Sequence, residues 1–119
     1  MPERILFVDD DQEWRLMVST WLRDAGYQVL AVQGASQALL QTGESRLSLI
    51  ILDLDLGGEN GLMLMKYLKR NHPGVPIILY TGMQHDEEAV QHMRAAGAQQ
   101  YLRKGAKEDL LQAVKGFLG

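Results

Sequence analysis

The chain has 119 residues, a formal net charge of -3 at neutral pH, 46% hydrophobic and 23% charged residues, and no cysteine. That length suits one compact domain with a real core and is too short for two, and the composition argues against extensive disorder. The lack of a basic run argues against direct nucleic-acid binding, the missing cysteines exclude disulfides and thiolate metal sites, and no leader or long apolar span points to secretion or a membrane, so a cytoplasmic protein is expected.

Apolar runs alternate with segments of helical period, the pattern of βα units that build a parallel sheet covered on both faces. Arg4 to Val8 reads as the first strand. Trp14, Met17, Val18, Trp21 and Leu22 then fall on one helical face, both tryptophans as core, and Gly26 stops that helix. Gln28 to Val32 reads as a short strand, and Ala35 to about Thr42 as a helix with Ser36 as its cap. Leu49 to Leu52 is a continuously apolar strand running into Asp53, followed by a glycine-rich turn. The next helix has Asn60 as its N-cap and Leu64, Met65 and Leu68 on one side. Asn60-Gly61 could mark a hairpin turn, but the residues after it have helical rather than alternating period, so the helix reading prevails.

His72-Pro73 closes that helix. Val75 to Tyr80 reads as the fourth strand, and the helix after it carries Asp86, Glu87 and Glu88 in its first turn, where the helix dipole favours them. Its inner side is Ala89, Val90 and Met93. Gly97 ends it, Gln99 to Leu102 forms a fifth strand, and Leu110, Leu111, Val114, Phe117 and Leu118 give the last helix an apolar face. The expectation is a single domain over residues 1–119 with no repeat, linker or second domain: an α/β, doubly wound (βα)5 three-layer sandwich with parallel sheet order 2-1-3-4-5, which is flavodoxin-like.

Polar residues interrupt this pattern at the carboxyl ends of strands: Asp9 and Asp10 after the first, Asp53 after the third, Thr81 after the fourth and Lys104 after the fifth. In an open parallel sheet those ends share one edge, and ligands bind at the crevice where strand order reverses, here between strands one and three. With strands about 4.8 Å apart, Asp9, Asp10 and Asp53 meet, Thr81 lies one strand away, and Lys104 reaches inward. Crowded carboxylates repel unless a cation sits among them, and hard oxygen ligands suit Mg²⁺, with Mn²⁺ as the alternative ion. A carboxylate at such a site can attack a phosphoryl group whose oxygens the metal, the Thr81 hydroxyl and the Lys104 ammonium stabilise.

Four segments carry a resemblance. ILFVDDD (Ile5 to Asp11), LIILDLDLGGENG (Leu49 to Gly61), PIILYTG (Pro76 to Gly82) and AAGAQQYLRKG (Ala95 to Gly105), in this order, resemble the receiver domains of bacterial two-component response regulators over essentially the whole chain. The resemblance implies phosphorylation of Asp53 by a sensor histidine kinase or phosphotransfer protein, and a metal held by Asp9, Asp10, Asp53 and the Asp55 main-chain carbonyl. It implies that Thr81 and Lys104 grip the phosphoryl group and that Thr81 and Tyr101 move as the switch. The face of the fourth helix, fifth strand and fifth helix then changes its affinity for an output domain or protein, with the chain a monomer or a phosphorylation-dependent homodimer. Such a chain is a switch with slow autodephosphorylation rather than an enzyme.

Three departures stand out. Gly57 occupies a position where the family usually has proline, and with Gly58 it is expected to make that loop more mobile. Gly105 replaces the proline after the lysine, and because a cis bond before a non-proline residue costs about 2.5 to 4 kcal/mol, a trans Lys104-Gly105 bond is expected. Asp55 and Met83, two residues past the acceptor and past Thr81, hold positions that influence phosphoryl lifetime in the family.

Plainer readings compete at several residues. Asp11 is a helix N-terminal acid favoured by the dipole. Thr81 read alone is a turn residue, Lys104 a solvated lysine and Tyr101 a β-favouring aromatic; joint placement selects the functional reading for Thr81 and Lys104, and Tyr101 stays open between the two. His72, His85 and His92 lack metal-site spacing and read as surface residues, and Gly57-Gly58 has neither P-loop nor dinucleotide spacing. Two rival functions remain. One is a haloacid dehalogenase-like phosphatase using Asp53 and Asp55, although that family carries its DxD motif on the first strand; the other is a pseudo-receiver that signals without phosphorylation.

Overall fold

The computed structural model describes residues 3–42, 46–56 and 59–119. Five strands, β1 (Arg4–Val8), β2 (Gln28–Val32), β3 (Leu49–Leu52), β6 (Ile77–Thr81) and β7 (Gln100–Arg103), form one parallel sheet in the order β2-β1-β3-β6-β7. Counted over the sheet strands alone, this is the expected 2-1-3-4-5. The helices are α1 (Gln12–Asp24), α2 (Ala35–Thr42), α3 (Gly61–Asn71), α4 (Glu87–Ala95) and α5 (Lys107–Leu118).

The central strand β3 is apolar throughout, and β1 and β6 beside it nearly so, because both sheet faces are covered there. Ile5, Phe7, Leu49, Ile51, Ile78 and Tyr80 pack with Val18 and Leu22 of α1 and Leu110 and Val114 of α5. Leu6, Val8, Ile50, Leu52, Ile77 and Leu79 point the other way, toward Ala38 of α2, Leu64, Met65 and Leu68 of α3, and Met93 of α4. Each such aliphatic side chain contributes about 1.5–3 kcal/mol by leaving water. The period-2 alternation therefore feeds two separate interiors.

Local signals set the helix ends. The Asp11 carboxylate accepts from the Glu13 and Trp14 N–H groups at 2.9 and 3.4 Å, and Asp86 accepts from Ala89 N–H at 2.8 Å, so both acids are N-caps. Gly26 (φ 97°) and Gly97 (φ 127°) end α1 and α4. The Gly26 N–H donates to Arg23 and the Tyr27 N–H to Leu22; Gly97 and Ala98 repeat the pattern with Arg94 and Met93. These are Schellman closures, which require the left-handed backbone that glycine supplies without strain.

Several expectations need correction. Residues 55–60 contain a short antiparallel ribbon, β4 (Asp55–Leu56) paired with β5 (Glu59–Asn60), where a plain turn is expected; arms of two residues are too short to show an alternating pattern. Helix α3 does begin at Gly61, as the helical period requires. Ser36 lies inside the first turn of α2 rather than capping it, and the Gln37 side chain reaches back to accept from the Gln33 N–H at 2.9 Å. Met17 and Phe117 are each 37% exposed rather than core. The expectations for Gly57 and Gly58, and for the Asp55 and Asn60 side chains, lie outside what is described. No helix among the described residues is long and apolar enough to cross a membrane.

Candidate functional site

The sheet ladder runs directly into the acidic residues. The Asp9 N–H donates to the Val32 carbonyl at 3.1 Å, the Asp53 N–H to the Val8 carbonyl at 2.9 Å, and the Lys104 N–H to the Thr81 carbonyl at 2.7 Å. The sheet ladder thus fixes the main chains of Asp9, Asp53 and Lys104 at one edge, as the topology requires. Asp9, Asp53 and Thr81 are buried, and Asp10 is exposed at the rim.

One oxygen from each of Asp9, Asp10 and Asp53 lies within 4.8 Å of the other two. The Lys104 ammonium enters this cluster, 2.7 Å from Asp9 Oδ2 and 3.0 Å from Asp53 Oδ2, and donates a hydrogen bond to the latter. The Asp9 contact is a short, buried ion pair. Asp9 Oδ1 accepts from the Asp11 N–H at 2.9 Å, and Arg15 Nη1 donates to the Asp9 carbonyl at 2.8 Å.

Burial pushes the Asp9 carboxyl above the ordinary range, with the Asp53 charge adding to it, while Lys104 and the Asp11 N–H oppose without cancelling. For Lys104 burial works to lower the pKa, but its bonds to Asp9 and Asp53 more than reverse this and hold the ammonium charged. Three carboxylates facing one ammonium leave a deficit of positive charge. That deficit and the all-oxygen donor set fit a hard divalent cation. Lysine itself thus supplies part of the compensating charge that the sequence reading gave to metal alone.

Thr81 and Tyr101 come together across β6 and β7. Thr81 Oγ1 accepts from the Met83 N–H at 3.3 Å, and Tyr101 Oη donates to the Met83 carbonyl at 2.8 Å. The expectation that His85 is a surface residue fails: it is half-buried and packs edge-on against Tyr101, ring centroids 5.6 Å apart, with Nε2 enclosed and without a hydrogen-bond partner among the described residues. The Lys104-Gly105 bond is trans, and the Gly105 N–H lies 3.5 Å from Tyr80 Oη.

Sequence reasoning missed two further features. Trp14 faces Lys104 with its ring centroid 5.1 Å from Nζ. Gly61 approaches the chain just after Asp53 so closely that a Cβ there would stand 2.7 Å from Leu54 Cα. The Asn-Gly pair signalled only a turn or helix start, and Trp14 signalled only core.

Comparison with known proteins agrees with this geometry. The family model described as the response regulator receiver domain matches residues 5–115. The chain is 35% identical over 119 residues to the DNA-binding response regulator MtrA of Mycolicibacterium smegmatis, covering 99% of this chain and 51% of that protein. It is 34% identical over 116 residues to the nitrogen assimilation regulatory protein NtrX of Azorhizobium caulinodans, covering 96% of this chain and 25% of the relative. The chain therefore spans a quarter to about half the length of these relatives. Among solved structures, the chemotaxis protein CheY4 of Vibrio cholerae superimposes with a TM-score of 0.91 at 29% identity, over 98% of this chain and 99% of that one. The chain belongs to the response regulator receiver domain family, whose members are signalling switches.

Proposed function

We propose that Asp53 is the phosphoryl acceptor of this receiver and that Asp9, Asp10, Asp53 and the Asp55 main-chain carbonyl hold a divalent cation, Mg²⁺ with Mn²⁺ as the alternative. When bound, the cation neutralises charge on the phosphoryl oxygens. The observation that carries the reading is the Lys104 ammonium bridging Asp9 and Asp53 inside a buried acidic cluster. An Asp53 carboxylate oxygen attacks phosphorus in line, a P–O bond forms as the P–N bond of a kinase or phosphotransfer phosphohistidine breaks, and the imidazole leaves with that electron pair. Lys104 and the Thr81 hydroxyl then donate to the phosphoryl oxygens, and water later hydrolyses the acyl phosphate slowly.

The added charge of about -1.5 to -2 biases the Thr81–Met83–Tyr101 linkage and, through it, the face of α4, β7 and α5. That face presents Leu102, Arg103 and Phe117 beside an open groove to an output domain or protein. We further propose that residues 1–119 form a single cytoplasmic domain, monomeric or dimerising on phosphorylation, that does not itself bind nucleic acid or membrane.

Incubation with Mg²⁺ and acetyl phosphate tests this. The expected product is one hydroxylamine-sensitive phosphoryl adduct that is lost in Asp53→Asn. Sustained turnover would instead favour a phosphatase using Asp53 and Asp55, and the absence of any adduct a receiver that signals without phosphorylation.

A further inference from the structure

Lys104 has a long flexible stem and is followed by Gly105, which has no side chain to restrain the turn. Its ammonium nevertheless stands at one place, between Asp9 and Asp53. The wall behind it is aromatic. Trp14 lies in the first turn of α1, where its N–H is bonded to the Asp11 cap, and its ring faces the ammonium with 5.1 Å from centroid to Nζ. Edge contacts with Tyr80 (5.9 Å, 81°) and Trp21 (6.3 Å, 89°) hold the indole at that angle. Tyr80 is itself buried, with its hydroxyl at hydrogen-bond reach of the Gly105 N–H, so one aromatic pair touches both the lysine head and the residue after it.

We propose that Trp14 is a positioning residue for Lys104, its ring face keeping the ammonium at the acid cluster while the carboxylate oxygens change partners. The inference rests on the reading of Asp53 as phosphoryl acceptor. In the structure the ammonium is anchored by two carboxylates, but a bound divalent cation would compete for those oxygens, and phosphorylation would convert one of them to an acyl phosphate oxygen. The attraction of an ammonium to the indole quadrupole is independent of which oxygens are free, so it persists through that exchange. An unanchored lysine would spend time in solvent, because four rotatable bonds separate Nζ from the main chain.

The test compares Trp14→Leu, which keeps an apolar side chain without a π face, with Trp14→Phe, which keeps one. In cation-free, unphosphorylated wild type, the Lys104 ε-methylene protons should be shifted upfield by the ring current, retained in part in Trp14→Phe and lost in Trp14→Leu. With acetyl phosphate and Mg²⁺, Trp14→Leu should be phosphorylated roughly 2- to 30-fold more slowly than wild type, with Trp14→Phe close to wild type. Mg²⁺ affinity of Trp14→Leu should be unchanged or tighter, since a loosened lysine competes less; damage to the pocket as a whole would weaken metal binding as well and would overturn the proposal. An ordinary Lys104 shift in wild type, or a wild-type phosphorylation rate in Trp14→Leu, would also overturn it. A wild type that accepts no phosphoryl group removes the functional reading instead, and the ring-current measurement still judges the aromatic contact by itself. If Trp14→Leu does not fold, that measurement and Trp14→Phe decide.

Discussion

Thr81 and Tyr101 are joined through the main chain of one residue, Met83, whose N–H serves the threonine hydroxyl and whose carbonyl accepts from the tyrosine. Because Thr81 Oγ1 is the acceptor in its bond, its own proton is left to donate toward a phosphoryl oxygen. The link runs through the Met83 main chain, with no side chain of Met83 taking part. Tyr101→Phe deletes one arm of this linkage, a bond contributing about 0.5–1.5 kcal/mol. Amide hydrogen exchange at Met83, Gln84 and His85 should accelerate by a similar factor while global stability changes little. Unchanged exchange there would mean that Tyr101 does not restrain the loop.

Lys104→Met should destabilise the cation-free protein by about 3 kcal/mol, because Asp9 and Asp53 would be left buried without their shared counter-charge. Added Mg²⁺ should recover part of that loss by binding the folded form. Urea unfolding in a chelator and in excess Mg²⁺ measures both. Equal stability of the two proteins in chelator would show that the ammonium is not what makes the cluster tolerable.

The pH dependence has a definite sign. Asp9 is raised, chiefly by burial, so its contribution to stability is complete below the ordinary carboxyl value of about 3.9 and is lost as pH rises through the higher folded value. In chelator, wild type should therefore gain stability relative to Asp9→Asn as the pH falls from neutral toward about 4. Lys104 is also raised, burial being outweighed by its two acidic partners, so its contribution is present at neutral pH and fades only as pH climbs through a value above about 10.4. Urea midpoints of the two proteins across pH check the first statement, and a parallel acid profile for both would contradict it.

Gly61→Ala should cost about 1–3 kcal/mol, since the new methyl would meet Leu54 backbone atoms that cannot swing aside as a side chain would. Leu54 directly follows Asp53, so phosphorylation by acetyl phosphate should slow in the same variant. A folded, fully active alanine variant would show that the helix start and the acceptor loop move apart easily.

Much of the fold was legible because it follows from burial. Leu49 to Leu52 must be apolar on both sides, and a carboxylate ending such a run at Asp53 stands out against it. Asp9 and Asp53 could be placed opposite each other from strand order alone. Trp14 was not legible as a partner of Lys104, because helical period reports which face a residue takes and not how near it lies to the rim of the sheet. The burial of His85 against Tyr101 was not legible for a similar reason: a loop residue carries no period, and Tyr101 is set only by the pairing of β6 with β7. Phe117 shows the reverse error, an apolar residue on a well-formed stripe that is 37% exposed and borders the open groove beside β7.

Ile50 and Ile51 are adjacent in the chain yet belong to opposite interiors, the first with Leu68 and Met93, the second with Val18 and Val114. Trimming each to valine opens space in a different interior, because the two clusters have no buried residue in common. Descendants of this sequence can therefore drift in composition on one side without retuning the other. Each side also reaches the rim, the half beneath α1 and α5 through Trp14 and Tyr80 and the other through Leu54 and Tyr101.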